Sequence, residues 1–314
     1  MIVAPPQQPV TLASGSPRMT FAHAQRGPLE APHRVILYGP EGIGKSTFAA
    51  GAPSPFFLKG DNGVNRLNVH GLKPETWQDL LSAVRLFLNE KHEYKTLALD
   101  SFNWYEALAI ADVVGTSGKS IEDWGGGYGR GVTAMLDRWR ELVSLLERVW
   151  ESGMHIVMTA HSQVKSFNDP QGPSYDRFEI AMNQKAAGIV KQWVDYVLFA
   201  RHEAFSKVDE RTKKHKGFST GARIIHTEWS AAYDAKWRGL APPELALSWA
   251  AFDAATSNEG KVAELLQRIE EGLATLADPE AETKVRGFIR GANGNPDRLS
   301  EIENAVLAKI GEKA

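Results

Sequence analysis

Gly39, Pro40, Glu41, Gly42, Ile43, Gly44, Lys45 and Ser46 spell the pattern G-x-x-x-x-G-K-S directly behind the apolar run Val35, Ile36, Leu37 and Tyr38. Thr47, Phe48, Ala49 and Ala50 then open a helix-favouring stretch. No other feature limits the fold as tightly, because a strand that passes through a glycine-rich turn into a helix is the building unit of a parallel α/β sheet. The glycines let successive backbone N–H groups converge on one anion. Lys45 adds a point charge near the terminal phosphates, and the Ser46 hydroxyl is placed for Mg²⁺. Residues 39 to 47 therefore read as the cradle for the polyphosphate of ATP.

Composition narrows the class. A chain of 314 residues holds one large α/β domain and a small appendage. An apolar fraction of 43% with nine tryptophans supplies a sizeable core. The net charge of −2 excludes a globally basic nucleic-acid binder, so any such surface has to be local. With no cysteine there are no disulfides, and the nine histidines show no metalloprotease spacing. The first residues, Met1 to Pro9, do not read as a secretory signal, and no run reaches membrane-span length. The expected location is the cytoplasm.

Six prolines between Pro5 and Pro32 mark residues 1–32 as a flexible arm. Strands are expected at 35–38, 56–59, 96–99, 155–160, 196–200, 223–227 and 245–249, and helices at 74–90, 103–114 and 133–152. In the last helix Leu136, Trp139, Leu142, Val143, Leu146 and Trp150 form one apolar face. Strands alternating with helices imply a mostly parallel sheet covered on both sides, and the later, closely spaced strands imply an antiparallel extension. Three further helices, 261–276, 279–290 and 297–310, form a small C-terminal piece. The expected division is an arm at 1–32, an ATPase core at 33–255 and a helical domain at 256–314.

A phosphate loop needs an acid beside its metal and a group that orients the attacking water. The apolar strand Thr96, Leu97, Ala98, Leu99 ends in Asp100, the expected metal-side carboxylate. Asp61 follows the strand at 56–59 and is the candidate base, with Glu41 and Glu106 as rivals. The strand at 155–160 ends in His161, Ser162 and Gln163, so His161 and Gln163 are candidate γ-phosphate sensors. Lys236 and Arg238, one residue apart, point to the same side if that segment is extended.

Together the segments GPEGIGKST, TLALDS, TAHSQVK, VDYVLFA and AKWRGLAPP, with Tyr128, Gly129, Arg130 and Gly131 before a long helix, resemble the RecA/DnaB-like ATPase superfamily. Within it they are most similar to short phage and prophage ATPases with a RecA-like core, including Sak-type single-strand annealing proteins and phage AAA-family nucleotide-binding proteins. The likeness runs from Pro32 to Trp249. It implies an ATPase in a bacterial host cell that works as a ring or filament, with Lys236 and Arg238 reaching a neighbouring subunit's γ-phosphate. It also implies that the strand beside the loop strand carries the catalytic carboxylate. Asp61 stands where such proteins show Glu.

The resemblance gives two loops a role in binding single-stranded DNA. One is the segment from Trp124 to Arg130; the other spans 164–188 and carries Lys165 and Lys185. A third basic patch, Arg211, Lys213, Lys214, His215 and Lys216, falls at an expected hairpin tip. In the arm, Phe21 and Ala24 match an F-x-x-A docking element, and Phe252 to Ala255 carries the same spacing. The expected output is annealing or strand pairing. Alternatives are a helicase or helicase-loader motor, and a nucleotide-gated module whose C-terminal helices dock a replication partner such as a single-strand-binding protein.

Overall fold

The computed structural model describes residues 31–60, 63–170, 172–208, 215–239, 242–257, 259–292 and 295–313, of which 65, 204–208, 215–219, 259, 260, 263, 290, 312 and 313 as backbone only. The described strands are β1 (Arg34–Gly39), β2 (Pro55–Lys59), β3 (His70–Leu72), β4 (Thr96–Asp100), β5 (His155–Phe167), β6 (Tyr175–Ile180), β7 (Tyr196–Val208), β8 (His215–His226) and β9 (Glu244–Ala246). The helices are α1 (Lys45–Ala50), α2 (Trp77–Asn89), α3 (Tyr105–Val114), α4 (Arg130–Glu151), α5 (Gln184–Trp193), α6 (Trp249–Ser257), α7 (Glu259–Leu276), α8 (Pro279–Ala292) and α9 (Pro296–Lys313).

The sheet order is β3-β2-β4-β5-β1-β7-β8-β9, with β6 attached to β5. All pairings from β3 to β7 are parallel; β5/β6, β7/β8 and β8/β9 are antiparallel. This is the mixed α/β fold with an antiparallel extension that the alternation of strands and helices implies.

Side-chain alternation divides the interior into two layers. Ile36, Leu97, Leu99, Ile156, Met158 and Phe199 enter the core under α2 to α5, while Val35, Leu37, Ala98, Val157 and Leu198 enter the one under α1 and α6. Both faces of the central strands are thus apolar, as a sheet covered on both sides requires. On the first face Trp77 of α2 meets Trp139 of α4 edge-on at 5.6 Å. A full capping box at Thr76 and Asp79 starts α2. The three last helices bury a core of their own, with Val262, Leu265, Ile269, Leu299 and Val306 at its centre.

Three expectations need correction. The segment 164–188 is not a loop: β5 runs on to Phe167, pairs with β6 in a hairpin, and α5 begins at Gln184. The polar residues Ser162, Gln163, Lys165 and Ser166 belong to an exposed two-stranded ribbon, which needs no apolar continuity. The strand expected at 245–249 stops at Ala246, and Trp249 starts α6. Phe252 is fully buried there, as fits a chance F-x-x-A match in an Ala-rich chain. Finally, β2 is not beside β1; its neighbours are β3 and β4, and β1 lies between β5 and β7.

Candidate functional site

Loop residues 40–44 connect β1 to α1 at the end of the sheet where the parallel strands finish. Gly39 lies so close to β7 that a Cβ there would meet the Ala200 carbonyl oxygen at 2.3 Å. Gly44 takes φ +114°, a backbone state closed to most side chains. The two ends of the motif therefore need glycine for different reasons, close approach at the first and conformation at the second. Lys45 is buried, and its Nζ donates to the carbonyls of Gly39 at 3.0 Å and Pro40 at 2.8 Å. Those bonds hold the ammonium over the opening of the loop.

A cleft of about 670 Å³ runs from the loop to the ends of β4 and β5, lined by Lys45, Ser46, Asp100, Ser101, Trp104 and His161 among others. The structure thus brings the loop, the expected metal carboxylate and the expected sensor into one cavity. Asp100 is 2% exposed. Its Oδ1 accepts the Thr159 hydroxyl of β5, and the Ser101 hydroxyl approaches it at 3.5 Å. Its Oδ2 is buried with no hydrogen-bond partner. Such an orphaned carboxylate oxygen is costly unless something else satisfies it.

Mg²⁺ fits this donor set. It is a hard cation that takes oxygen ligands and is commonly held by one or two carboxylates together with substrate phosphates. Ser46 and Asp100 both line the cleft and offer oxygens. Among the described residues no cluster of three or more His, Asp or Glu forms a metal cage.

His161 is the residue at which β5 leaves the parallel sheet. It is the last partner of β1, opposite Gly39, and Ser162 begins the pairing with β6. Its backbone N–H donates to Asn103 at 3.0 Å, and its Nε2 lies 3.3 Å from the Ser101 hydroxyl. Asp100, Ser101 and His161 are therefore linked through side chains. Gln163 points elsewhere, donating to the Ile180 carbonyl at 3.2 Å across the hairpin, so the strand's two candidate sensors do not share a site.

Asp61 lies outside the described residues, directly behind β2, whose last residue Lys59 pairs with Asp100. Of its rivals, Glu41 lines the cleft and is exposed. Glu106 instead accepts the Asn183 N–H at 2.8 Å, tying α3 to the start of α5, and burial raises its carboxyl above the ordinary range.

Lys236 and Arg238 lie at the opposite end of the sheet. Lys236 bridges to Val197, which pairs with Ile36 near the start of β1. The three residue steps from Ile36 to Gly39 separate that level from the loop by roughly 10 Å. Lys236 donates to the carbonyls of Lys191 at 3.0 Å and Val194 at 2.5 Å, capping the end of α5. Burial, then the nearby Arg238, lowers its pKa. Arg238, 56% exposed, pairs with Asp195 at 3.2 Å. Neither cation belongs to this chain's own cleft.

Arg130 opens α4 and donates to the Gly125 carbonyl at 2.9 Å. The turn before it has positive φ at every residue from Gly125 to Gly129, Tyr128 included, and Tyr128 is 99% exposed. Lys165, on the hairpin, and Lys185, in the first turn of α5, are both exposed. Lys213 and Lys214, between β7 and β8, lie outside the described residues, as do the side chain of Lys216 and the arm's Phe21 and Ala24.

Thr159, Ser101, Arg66 and Trp104 were not legible as site residues. Thr159 looks like part of an apolar strand, and Trp104 like helix core, yet Trp104 is 51% exposed on the wall of the cleft. Only Ser101 had a signal, its position next to Asp100.

A family model described as an AAA domain matches residues 31–238. No curated protein matches the chain.

Proposed function

The chain belongs to the AAA-domain family of P-loop ATPases, and on that premise we propose that it binds and hydrolyses ATP with Mg²⁺ and acts on single-stranded DNA as an oligomer. The observation that carries the nucleotide part is the meeting of Lys45, Ser46 and the half-satisfied Asp100 in one cleft. Lys45 and the loop amides would bind the phosphates, while Ser46 and Asp100 would hold the cation. Bound Mg²⁺ supplies charge neutralisation at the phosphate oxygens. Thr159 fixes the orientation of the Asp100 carboxylate. Ser101 and His161, at the ends of β4 and β5 in the same cleft, would meet the terminal phosphate.

The DNA part rests on β5. The strand that carries Thr159 behind Asp100 and His161 in the cleft continues without a break into the hairpin that carries the exposed Lys165. Lys185, and Arg130 behind the turn that displays Tyr128, add cations for a phosphodiester backbone. Annealing or strand pairing, as in the Sak-type phage proteins the motifs resemble, would be the output. Lys236 and Arg238, being far from their own loop, would serve a neighbouring subunit's nucleotide, so hydrolysis requires assembly.

The test is the ATPase rate with and without single-stranded DNA across a range of protein concentrations. Stimulation by DNA and a rate per chain that rises with concentration are expected; a flat response to both sinks the DNA and oligomer claims. Strand displacement in the same reactions would point instead to a helicase motor. A second reading draws on the apolar groove between α8 and α9, lined by Val285, Ile302 and the half-exposed Phe288. It suits a docked partner such as a single-strand-binding protein, with the nucleotide gating that contact.

A further inference from the structure

We propose that Arg223 is a second cation of the nucleotide site, acting within its own chain on the phosphates nearest the nucleoside. The inference rests on the nucleotide-binding reading of the loop and assigns it a residue that no motif contains.

Arg223 lies on β8, opposite His202 of β7. Alternation puts it on the same face as Ile225, which is fully buried with Ile43 and Phe48 in the core beneath α1. Ile225 pairs with Ala200, whose carbonyl touches the Gly39 position. Two residues back along β8, Arg223 has passed the end of β1 and stands level with the loop. The placement is direct: a Cβ on Gly44 would lie 3.2 Å from Arg223 Nη1 and 3.5 Å from a methyl of Leu247. Leu247 is in turn held to Arg223 by a backbone bond of 3.0 Å.

The guanidinium is exposed, and among the described residues it has no hydrogen-bond or ion-pair partner. It does not brace the loop by bonding its carbonyls, as Lys45 does. A guanidinium held against a phosphate loop with five donors uncommitted is arranged for an anion that arrives with the ligand. Its side of the loop also assigns the phosphate. Asp100 and His161 approach from β4 and β5, on one flank of β1; Arg223 approaches from β8, on the other. The terminal phosphate belongs to the first flank, so Arg223 serves the α- and β-phosphates that ATP and ADP share.

Calorimetric titration of ATP and ADP, each with Mg²⁺, into the wild-type protein and the R223A, R223K and K45A variants tests this. A charge-assisted bond of this kind predicts about tenfold weaker binding to R223A. The loss should be equal for ATP and ADP, with partial recovery in R223K and an unchanged melting temperature for this exposed position. Wild-type affinity of R223A for both nucleotides overturns the proposal, and so does a loss confined to ATP. K45A separates the premises. If K45A fails to bind while R223A binds normally, only the Arg223 assignment falls; if K45A binds normally, the loop reading falls and takes the assignment with it.

Discussion

Thr159 donates its hydroxyl to Oδ1 of Asp100, and the other oxygen of that carboxylate is left buried and unpartnered. The pair sits on adjacent strands, β5 and β4, so the orientation of the carboxylate is fixed by the sheet. One oxygen is committed to the protein and the other is kept for what the cleft receives.

Asp100→Asn should therefore spare nucleotide binding more than hydrolysis. The loop and Lys45 remain, while the anionic oxygen is replaced by an amide that serves a cation poorly. We expect a fall in ATPase rate of about 100-fold with nucleotide affinity changed far less. Equal losses in binding and turnover would show that Asp100 acts in the ground state.

Thr159→Val tests the orientation of the carboxylate separately from its charge. The side chain keeps its shape in a fully buried position but loses the hydroxyl, leaving Asp100 held only by the longer contact from Ser101. The expected cost is about 10-fold in turnover, with a higher Mg²⁺ concentration needed for half-maximal rate. An unchanged Mg²⁺ titration would assign Thr159 to packing alone.

Lys236 and Arg238 should part company when each is removed. Lys236→Met leaves the carbonyls of Lys191 and Val194 without their donor, and thermal or urea unfolding should show a loss of about 1–3 kcal/mol. Arg238→Ala removes a half-exposed ion pair and should cost under about 1 kcal/mol. An ATPase defect in Arg238→Ala at unchanged stability is the outcome expected for a contact with a neighbouring subunit.

The stability of the chain should decline in mild acid. Burial and then His33 push His155 down to about 4, and burial and then Arg201 push His226 down to about 4. Glu244 lies 3.3 Å from His226 but is half exposed, and its attraction does not reverse the shift. Both imidazoles are neutral in the folded chain, whereas the unfolded chain takes up protons below about 6.5. The contribution is fully present above pH 6.5 and is lost as pH falls toward 4. Melting temperatures should be level above pH 6.5 and drop across that window, with a shallower drop in His155→Gln.

Phe252→Ala should cost about 3–5 kcal/mol, because the ring is fully buried between Phe48, Tyr196 and Trp249 in the core under α1. If Phe252 docked a neighbouring subunit instead, the substitution would change assembly and leave monomer stability alone.

What could be read from the chain and what could not follows from the range of the interactions. The loop was legible because its glycines and lysine act within eight consecutive residues. Asp100 was legible because a fully buried parallel strand is an apolar run, and a charge at its end stands out. The β5/β6 hairpin was not, because an exposed ribbon carries polar residues on both faces and resembles a loop. The adjacency of strands was not either: β2 looks next to β1 in sequence, yet two strands intervene. Trp104 reaches the cleft wall, and Arg223 the side of Gly44, only through packing against elements dozens of residues away.

The uninterrupted course of β5 through His161 has a mechanical consequence. Its first half is clamped between β4 and β1; past His161 it pairs with β6, whose Phe178 stacks on Phe199 and donates its N–H to the Ala232 carbonyl, so the hairpin is braced as far as the Val164–Phe178 pair and projects beyond it. The three residue steps from Val164 to Phe167 span roughly 10 Å, so a tilt of about 10° at that brace moves the tip by roughly 2 Å. The cleft end of β5 and the base of its hairpin are therefore one rigid unit, and freedom is confined to the ribbon's last few residues.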